Sequence, residues 1–276
     1  MSKTWLITGA SSGLGREMAA QLLARGDRVL ATVRREDALA DLARQHGASL
    51  VVLKLDVTDV ERMRRVMDDA FAQAGQVDVV VSNAAYGLFG AAEELTDAQI
   101  EHQIATNLTG SIRVIRSVLP HLRRQGGGRI VQVSSEGGQI AYPNFSLYHA
   151  TKWGIEGFVE SVAQEVAPFG VDFIIAEPGP TGTNFAANLV RPASMAVYED
   201  TPAGAVRRAI DSGSFDIKGD AVRTVASIIA AADSESPALR LTLGSTAYES
   251  ISKALGERLA SLQAQREIAL SADRDG

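Results

Sequence analysis

Residues 4–15 read Thr4-Trp5-Leu6-Ile7-Thr8-Gly9-Ala10-Ser11-Ser12-Gly13-Leu14-Gly15. A short run of strand character enters a turn with three glycines, and a helical pattern follows to about Arg25, closed by Gly26. Glycine lets the chain turn sharply and lets backbone N–H groups approach an anion; the positive end of the following helix adds to that attraction. The unit is a strand, an anion-binding turn and a helix. Its spacing is Gly-x-x-x-Gly-x-Gly rather than the Gly-x-Gly-x-x-Gly of the commoner dinucleotide turn, and a tight strand-to-helix turn alone would look the same.

The same rhythm continues along the chain. Strand-like runs are expected at 28–33, 50–55, 77–82, 129–133 and 171–177, with helices at 36–46, 59–74, 97–125 and 147–169. The strands are continuous apolar runs, such as Val79-Val80-Val81, which suits strands covered on both faces. The expected fold class is α/β: a single doubly wound, Rossmann-like domain over residues 1–276, a mostly parallel sheet with helices on both faces. Residues 184–219 break the rhythm with Pro192, Pro202, Gly204 and Gly213, yet carry Phe185, Met195, Val197, Tyr198 and Phe215. A long, apolar, weakly periodic stretch in a compact domain reads as a substrate lid. A helix at 220–232, a strand at 239–243 and a terminal helix are expected beyond it, with 271–276 frayed.

Composition removes several function classes. The 276 residues are 46% hydrophobic and 22% charged, with a formal net charge of -6. An acidic chain gains nothing from a phosphate polymer, so no nucleic-acid partner is expected. There is no cysteine, which excludes disulfides and thiolate chemistry, and the four histidines form no ligand-spaced pair, so no metal is expected. No apolar run is long enough to span a bilayer, and the N-terminal residues enter a strand at once. A soluble, cytoplasmic protein without a membrane partner is the expectation.

The end of the second strand selects a cofactor. A fold that binds NAD places a carboxylate there to hold the ribose 2′-hydroxyl. Here the strand ends Val33-Arg34-Arg35, with no carboxylate, and Arg34 can fork onto a 2′-phosphate beside the Ser11 and Ser12 hydroxyls. Glu36 and Asp37 read as acids at the start of the next helix. The expected cofactor is NADP(H).

Tyr148-His149-Ala150-Thr151-Lys152 puts a phenol and an ammonium four residues apart, on one helix face. Carbonyl reduction needs a proton donor where negative charge develops, and a fixed ammonium would lower the pKa of a phenol toward that task. Alone, the pair is equally a surface pair. Ser134 and Ser135 end the preceding strand. They should face opposite sides, and Ser135 is the one expected to meet a substrate oxygen. Asn107 is a polar residue in mid-helix, where it is disfavoured without a purpose.

Together these motifs resemble the short-chain dehydrogenase/reductase family: Thr8-Gly9-x-x-x-Gly13-x-Gly15, Asn107, Ser135 thirteen residues before Tyr148, Tyr148-x-x-x-Lys152, and the Pro178-Gly179-Pro180-Thr181-Gly182-Thr183 run, in the family's order across about residues 4–183. The resemblance implies catalytic roles for Asn107, Ser135, Tyr148 and Lys152. Asn107 would hold a water near Lys152, and Lys152 would also bind the nicotinamide ribose. It implies cofactor contacts from Gly9, Ser11, Ser12, Gly13, Leu14, Gly15 and Arg34, and from Asp56 and Val57 after the third strand, with Asp56 at the adenine. Asn83 and Ala84 would follow at the fourth strand, then Pro178 and Gly179 against the nicotinamide, Thr181, and Thr183 at the carboxamide. Val33 stands where family members that use NAD carry Asp. The Ser82-Asn83-Ala84-Ala85-Tyr86 run departs from the family's Asn-Asn-Ala-Gly.

The implied reaction is hydride transfer between NADP(H) and a small-molecule carbonyl or secondary alcohol, with Tyr148 as general acid/base. Leu88, Phe89, Ile140, Tyr142 and Phe145 are candidate pocket residues for an apolar alkyl, aryl, retinoid-like or steroid-like carbonyl. The resemblance also implies a homodimer or homotetramer, paired through helices near 97–125 and 147–169. Two rivals stand beside this reading. An NADP-binding regulatory sensor without turnover would tolerate loss of Ser135, Tyr148 or Lys152, and all three are present. A sugar-nucleotide epimerase would want a larger C-terminal domain.

Overall fold

The computed structural model describes residues 2–274. The strands are β1 (Thr4–Ile7), β2 (Arg28–Val33), β3 (Leu50–Lys54), β4 (Val79–Ser82), β5 (Gly128–Val133), β6 (Val171–Pro178) and β7 (Arg240–Leu243). They form one parallel sheet in the order β3-β2-β1-β4-β5-β6-β7. The fold is the expected doubly wound, Rossmann-like one. The order reverses between β1 and β4, where Ile7 lies in register with both Ala31 and Val81. A crevice opens at such a switch point, beyond the carboxyl ends of the strands.

The helices are α1 (Gly13–Ala24), α2 (Ala40–His46), α3 (Val60–Ala74), α4 (Asp97–Gln103), α5 (Ser111–Gln125), α6 (Ser146–Val166), α7 (Pro202–Asp211), α8 (Ala221–Asp233), α9 (Ser245–Ala264) and α10 (Arg266–Leu270). Side chains alternate along each strand, so each supplies two cores. Trp5, Ile7, Val29, Val79 and Val131 face α1 and α8, packing on Met18, Leu22, Val225 and Ile228. Leu6, Leu30, Val80 and Ile130 face α3, α5 and α6, packing on Met67, Ile115, Val118 and Val159. Both faces are covered, which is why the strands read as unbroken apolar runs. Each buried Leu, Ile or Val contributes roughly 1.5–3 kcal/mol, so the sheet ends are held on a stiff base.

Three expectations need correction. The helix expected at 36–46 begins as a 3-10 turn, Glu36–Leu39, with both acids in its first turn. The helix expected at 97–125 is interrupted by a π-helical turn, Ile104–Gly110. The π turn carries Asn107, whose amide is clamped to the backbone of Tyr86: Nδ2 donates to Tyr86 O (2.8 Å) and Tyr86 N donates to Oδ1 (3.1 Å). Gly110 closes the turn against Val57, where a Cβ would lie 3.1 Å from Val57 Cγ2. Finally, residues 184–219 contain the regular helix α7, which begins at Thr201-Pro202. Thr201 caps it through Ala203 N, and Pro202 takes a position where no N–H is needed. Ser271 still continues the helical pattern by donating its N–H to Glu267 O (3.1 Å), while 275–276 lie outside the described residues.

Candidate active site

A cavity of about 740 Å³ occupies the crevice. Of the residues singled out in the sequence, Gly9, Ser11, Ser12, Gly13, Leu14, Arg34, Asp56, Val57, Asn83 and Ala84 line one end. Ser135, Tyr148, Lys152, Pro178, Gly179, Thr181 and Thr183 line the other. Gly15 and Asn107 are not on its wall.

At the first end, no side chain caps α1: Ser12 is extended and makes no cap bond, and the first turn holds no acid. The leading N–H groups and the partial positive charge of the helix are therefore open to an anion. Gly9 has φ +67, and a Cβ there would come within 2.7 Å of Ala84 Cα. Gly15 acts from behind the wall, since a Cβ there would meet Asn83 Nδ2 at 2.5 Å. Asn83 binds this turn to β4 by donating Nδ2 to Thr8 O (3.0 Å) and Gly9 O (3.1 Å). Val33 is buried, and Arg34 beside it is exposed, with no ion-pair partner among the described residues. Asp56 uses Oδ1 to accept from Thr58 N (2.9 Å) and Thr58 Oγ1 (2.7 Å), which leaves Oδ2 for an incoming donor. Thr183 lies across from the glycine turn: a Cβ on Gly13 would sit 3.9 Å from Thr183 Cβ.

At the other end, α6 presents Tyr148 and Lys152 together, both buried, with Lys152 Nζ 5.6 Å from the centre of the Tyr148 ring. Lys152 Nζ donates to Val133 O (2.9 Å). Burial pulls this ammonium down to about 8, against the pull of the Glu156 carboxylate. The expected depression of the Tyr148 phenol is not what the protein produces. Burial pushes it up to about 12, the nearby Ser135 hydroxyl works against that, and the Glu136 carboxyl adds to it. Tyr148 is thus a neutral phenol at neutral pH, a proton in place to be given.

The two serines do face apart. Ser135 borders the cavity and caps the next turn, accepting from Gly137 N (3.1 Å). Ser134 Oγ turns onto Glu156 Oε1 (2.5 Å). Sequence reading missed what lies behind it. Arg240 of β7 donates to Glu156 Oε2 (2.6 Å), to Glu160 Oε1 (3.0 Å from Nε) and to the fully buried Glu177, whose carboxylate also accepts from Gln139 and Thr242. This network joins α6, β6 and β7 and reaches Ser134 through Glu156, one helical turn from Lys152. Its members are more than sixty residues apart in places, so no spacing signals it. The Asn107 amide is likewise occupied by Tyr86, which makes it a positioning side chain for the end of β4. Among the described residues, no group of three or more His, Cys, Asp or Glu side chains could hold a metal ion.

The remaining wall is largely apolar, with Asn184 and Asn188 among its polar members. Tyr86, Tyr142, Phe145, Phe185, Leu189, Ile210, Phe215 and Ile217 make up its apolar part. Phe185 reaches Tyr148, with ring centres 5.6 Å apart. Leu88, Phe89 and Ile140, expected in the pocket, are not on its surface: Leu88 and Phe89 are buried, and Phe89 supports Phe145 from behind at 4.9 Å. The 184–219 segment is pinned there. Leu88 and Val190 form a parallel bridge, Asn144 Nδ2 donates to Ala203 O (2.7 Å), and Arg207 donates to both oxygens of the buried Glu94 (2.7 Å each).

A doubly wound sheet with an open helix N-terminus at its switch point, and a buried tyrosine–lysine pair in the same cavity, defines a nucleotide-binding oxidoreductase. The chain matches the family described as short chain dehydrogenase over residues 3–193 and belongs to it. It is 34% identical to oxidoreductase BOA17 of Botryotinia fuckeliana, covering 98% of this chain and 99% of that one. A solved short-chain dehydrogenase from Streptomyces avermitilis superposes with a TM-score of 0.91 at 36% identity, covering 99% of this chain and all of the other. A short chain dehydrogenase from Burkholderia cenocepacia, solved in complex with NADP, superposes with a TM-score of 0.74 at 25% identity over 96% and 97% of the two chains. No helix among the described residues is long and apolar enough to cross a membrane.

Proposed function

We propose that this protein is an NADP(H)-dependent reductase of ketones or aldehydes, reversible toward secondary alcohols. One observation carries the reading: the buried Tyr148 beside the buried Lys152 in a cavity whose far end offers the uncapped α1 and Arg34, which has no ion pair among the described residues. The polar end fits a dinucleotide phosphate, and Arg34, which makes no ion pair among the described residues, fits the 2′-phosphate. The NADP complex of the Burkholderia cenocepacia neighbour supports the same choice.

Gly9, Ser11, Ser12, Gly13, Leu14, Arg34, Asp56, Val57, Asn83 and Ala84 hold the cofactor's adenosine and phosphates in this reading. Lys152, Pro178, Gly179, Thr181 and Thr183 hold its nicotinamide half. NADPH, when bound, supplies the hydride. Tyr148 and Ser135 hold the substrate oxygen, and Tyr148 gives it a proton as negative charge grows there. Lys152, fixed to Val133 O, favours the phenolate left behind. In alcohol oxidation Tyr148 must first lose its proton, so that direction runs faster at alkaline pH.

The aromatic wall suits an apolar or aryl carbonyl. Residues 184–219 act as the lid of a single domain, with Phe185 meeting Tyr148. The outward faces of α5 and α6 carry a second, shallower groove of about 480 Å³ lined by Leu119, Pro120, Phe158, Val162 and the exposed Phe169, and we assign homo-oligomer pairing to it. Sedimentation at micromolar concentration tests that pairing, and a monomer alone refutes it.

The activity is tested with a panel of aryl and alkyl ketones, following nicotinamide absorbance with NADPH and with NADH. Turnover with preference for NADPH is expected. NADPH binding without turnover of any carbonyl would turn the reading into that of a sensor, and preference for NADH would remove the role of Arg34.

A further inference from the structure

One buried acid beside the reacting centre has no place in the mechanism above. Glu136 directly follows Ser135, is 3% exposed and borders the cavity. It has no cationic partner among the described residues. Its Oε2 accepts from Ser250 Oγ of α9 (2.9 Å). That hydroxyl has a single proton, and Ala247 O also competes for it at 3.2 Å. Oε1 accepts no hydrogen bond from any described residue. The carboxyl also lies against the turn after β6: a Cβ on Gly179 would be 3.6 Å from Oε2. Ser135, the preceding residue, Tyr148 and Gly179 line the same cavity.

A carboxyl group left unpaired in a buried site is costly, and an apolar ligand that displaces water from it makes the cost larger. The wall also carries Asn184 and Asn188, but no described residue donates to Oε1, so that oxygen is left for a ligand to pair. A hydroxyl meets the need in either protonation state, since it can donate to a carboxylate and accept from a carboxylic acid. We infer that Glu136 is a specificity-determining residue that selects carbonyl substrates bearing a hydroxyl group close to the reacting carbon, with an apolar remainder against Tyr142, Phe145 and Phe185. This rests on the reductase reading and names its substrate class. In the alcohol direction the same site takes vicinal or nearby diols. Sites built around a hydrogen bond discriminate strongly against analogues that lack it, because a buried group is then left unpaired.

The test compares 2-hydroxyacetophenone with acetophenone, using NADPH, in the wild type, Glu136→Gln and Glu136→Leu. The quantity read is the ratio of the two kcat/KM values within each protein; comparing proteins cancels the intrinsic reactivity of the ketones. The expected ratio drops by about tenfold or more in Glu136→Leu, mainly through the KM of the hydroxyketone, with Glu136→Gln between. An equal ratio in wild type and Glu136→Leu overturns the inference while leaving the reductase reading intact. If Glu136→Leu does not fold, the isosteric Glu136→Gln decides alone, and an unchanged ratio there refutes the role. A wild type that reduces neither these nor any other ketone removes the reductase reading, and this inference with it.

Discussion

The two sides of the cavity are built on opposite principles. The floor, from residue 4 to residue 183, sets short polar motifs at the ends of parallel strands, and the strands are held by apolar packing on both faces. The 184–219 segment has no strand of the sheet. It is held from outside by a few specific bonds: the Leu88–Val190 bridge, Asn144 on Ala203 O and Arg207 on Glu94. The floor carries its chemistry on rigid elements, where each motif has a fixed address. The segment presents Phe185, Leu189, Ile210, Phe215 and Ile217 by tertiary bonds, and no local pattern gives them addresses. The two sides meet at one small apolar cluster, Phe89, Phe145 and Tyr148 with Leu189, Val206 and Ile210 packed against it.

The sharpest way to break this contrast is at the floor's proton. Tyr148→Phe should lower kcat by about 10²–10⁴-fold, the usual worth of a positioned acid, while NADPH still binds. Steady-state rates with a fluorescence titration of NADPH check this, and near-normal turnover would overturn the role of Tyr148. On the other side, Arg207→Ala leaves the buried Glu94 without its cation. About 3 kcal/mol of stability should be lost in urea unfolding, with KM for apolar ketones raised and NADPH affinity unchanged. A variant that also loses NADPH would mean that floor and segment are not separate.

Arg34→Ala should weaken NADPH by about 10- to 100-fold, the range of a charge-assisted hydrogen bond, and leave NADH nearly untouched. The smallest effect concerns His149, buried next to Tyr148 with no partner on either ring nitrogen among the described residues. Burial lowers its pKa from 6.5 to about 4. The unfolded chain therefore binds the proton more readily, and stability present above pH 6.5 is lost as pH falls toward 4. The loss should be roughly 1 kcal/mol between pH 7 and pH 6, and His149→Phe should flatten that part of the stability profile. An unchanged profile would place the acid sensitivity elsewhere.

Much of the floor was legible because its signals are local. Glycines in a strand-to-helix turn, a tyrosine and a lysine one helical turn apart, and a serine at a strand end each follow from the geometry of one element. The helix boundaries were less so. The π turn at Ile104–Gly110 carries Asn107, which bonds the backbone of Tyr86 twenty-one residues earlier, and helical periodicity says nothing of that bond. Helix α7 was hidden among prolines and glycines, although the Thr201-Pro202 start was readable in hindsight as a cap. Leu88 and Phe89 were placed in the pocket by position, and the fold turned them inward under Phe145.

The sequence by itself determined the doubly wound sheet and the polar ends of its strands, since hydrophobic periodicity and turn chemistry act over a few residues. It also set Val33-Arg34 where a carboxylate would otherwise select NAD. Tertiary structure alone decided the protonation of the site. The Tyr148 phenol is pushed up, not down, because burial outweighs the Ser135 hydroxyl, and Glu136 adds to the effect. It alone brought Arg240 onto Glu156 and left Glu136 without a cationic partner among the described residues. Desolvation and charge pairing depend on everything within a few ångströms, whatever its distance along the chain.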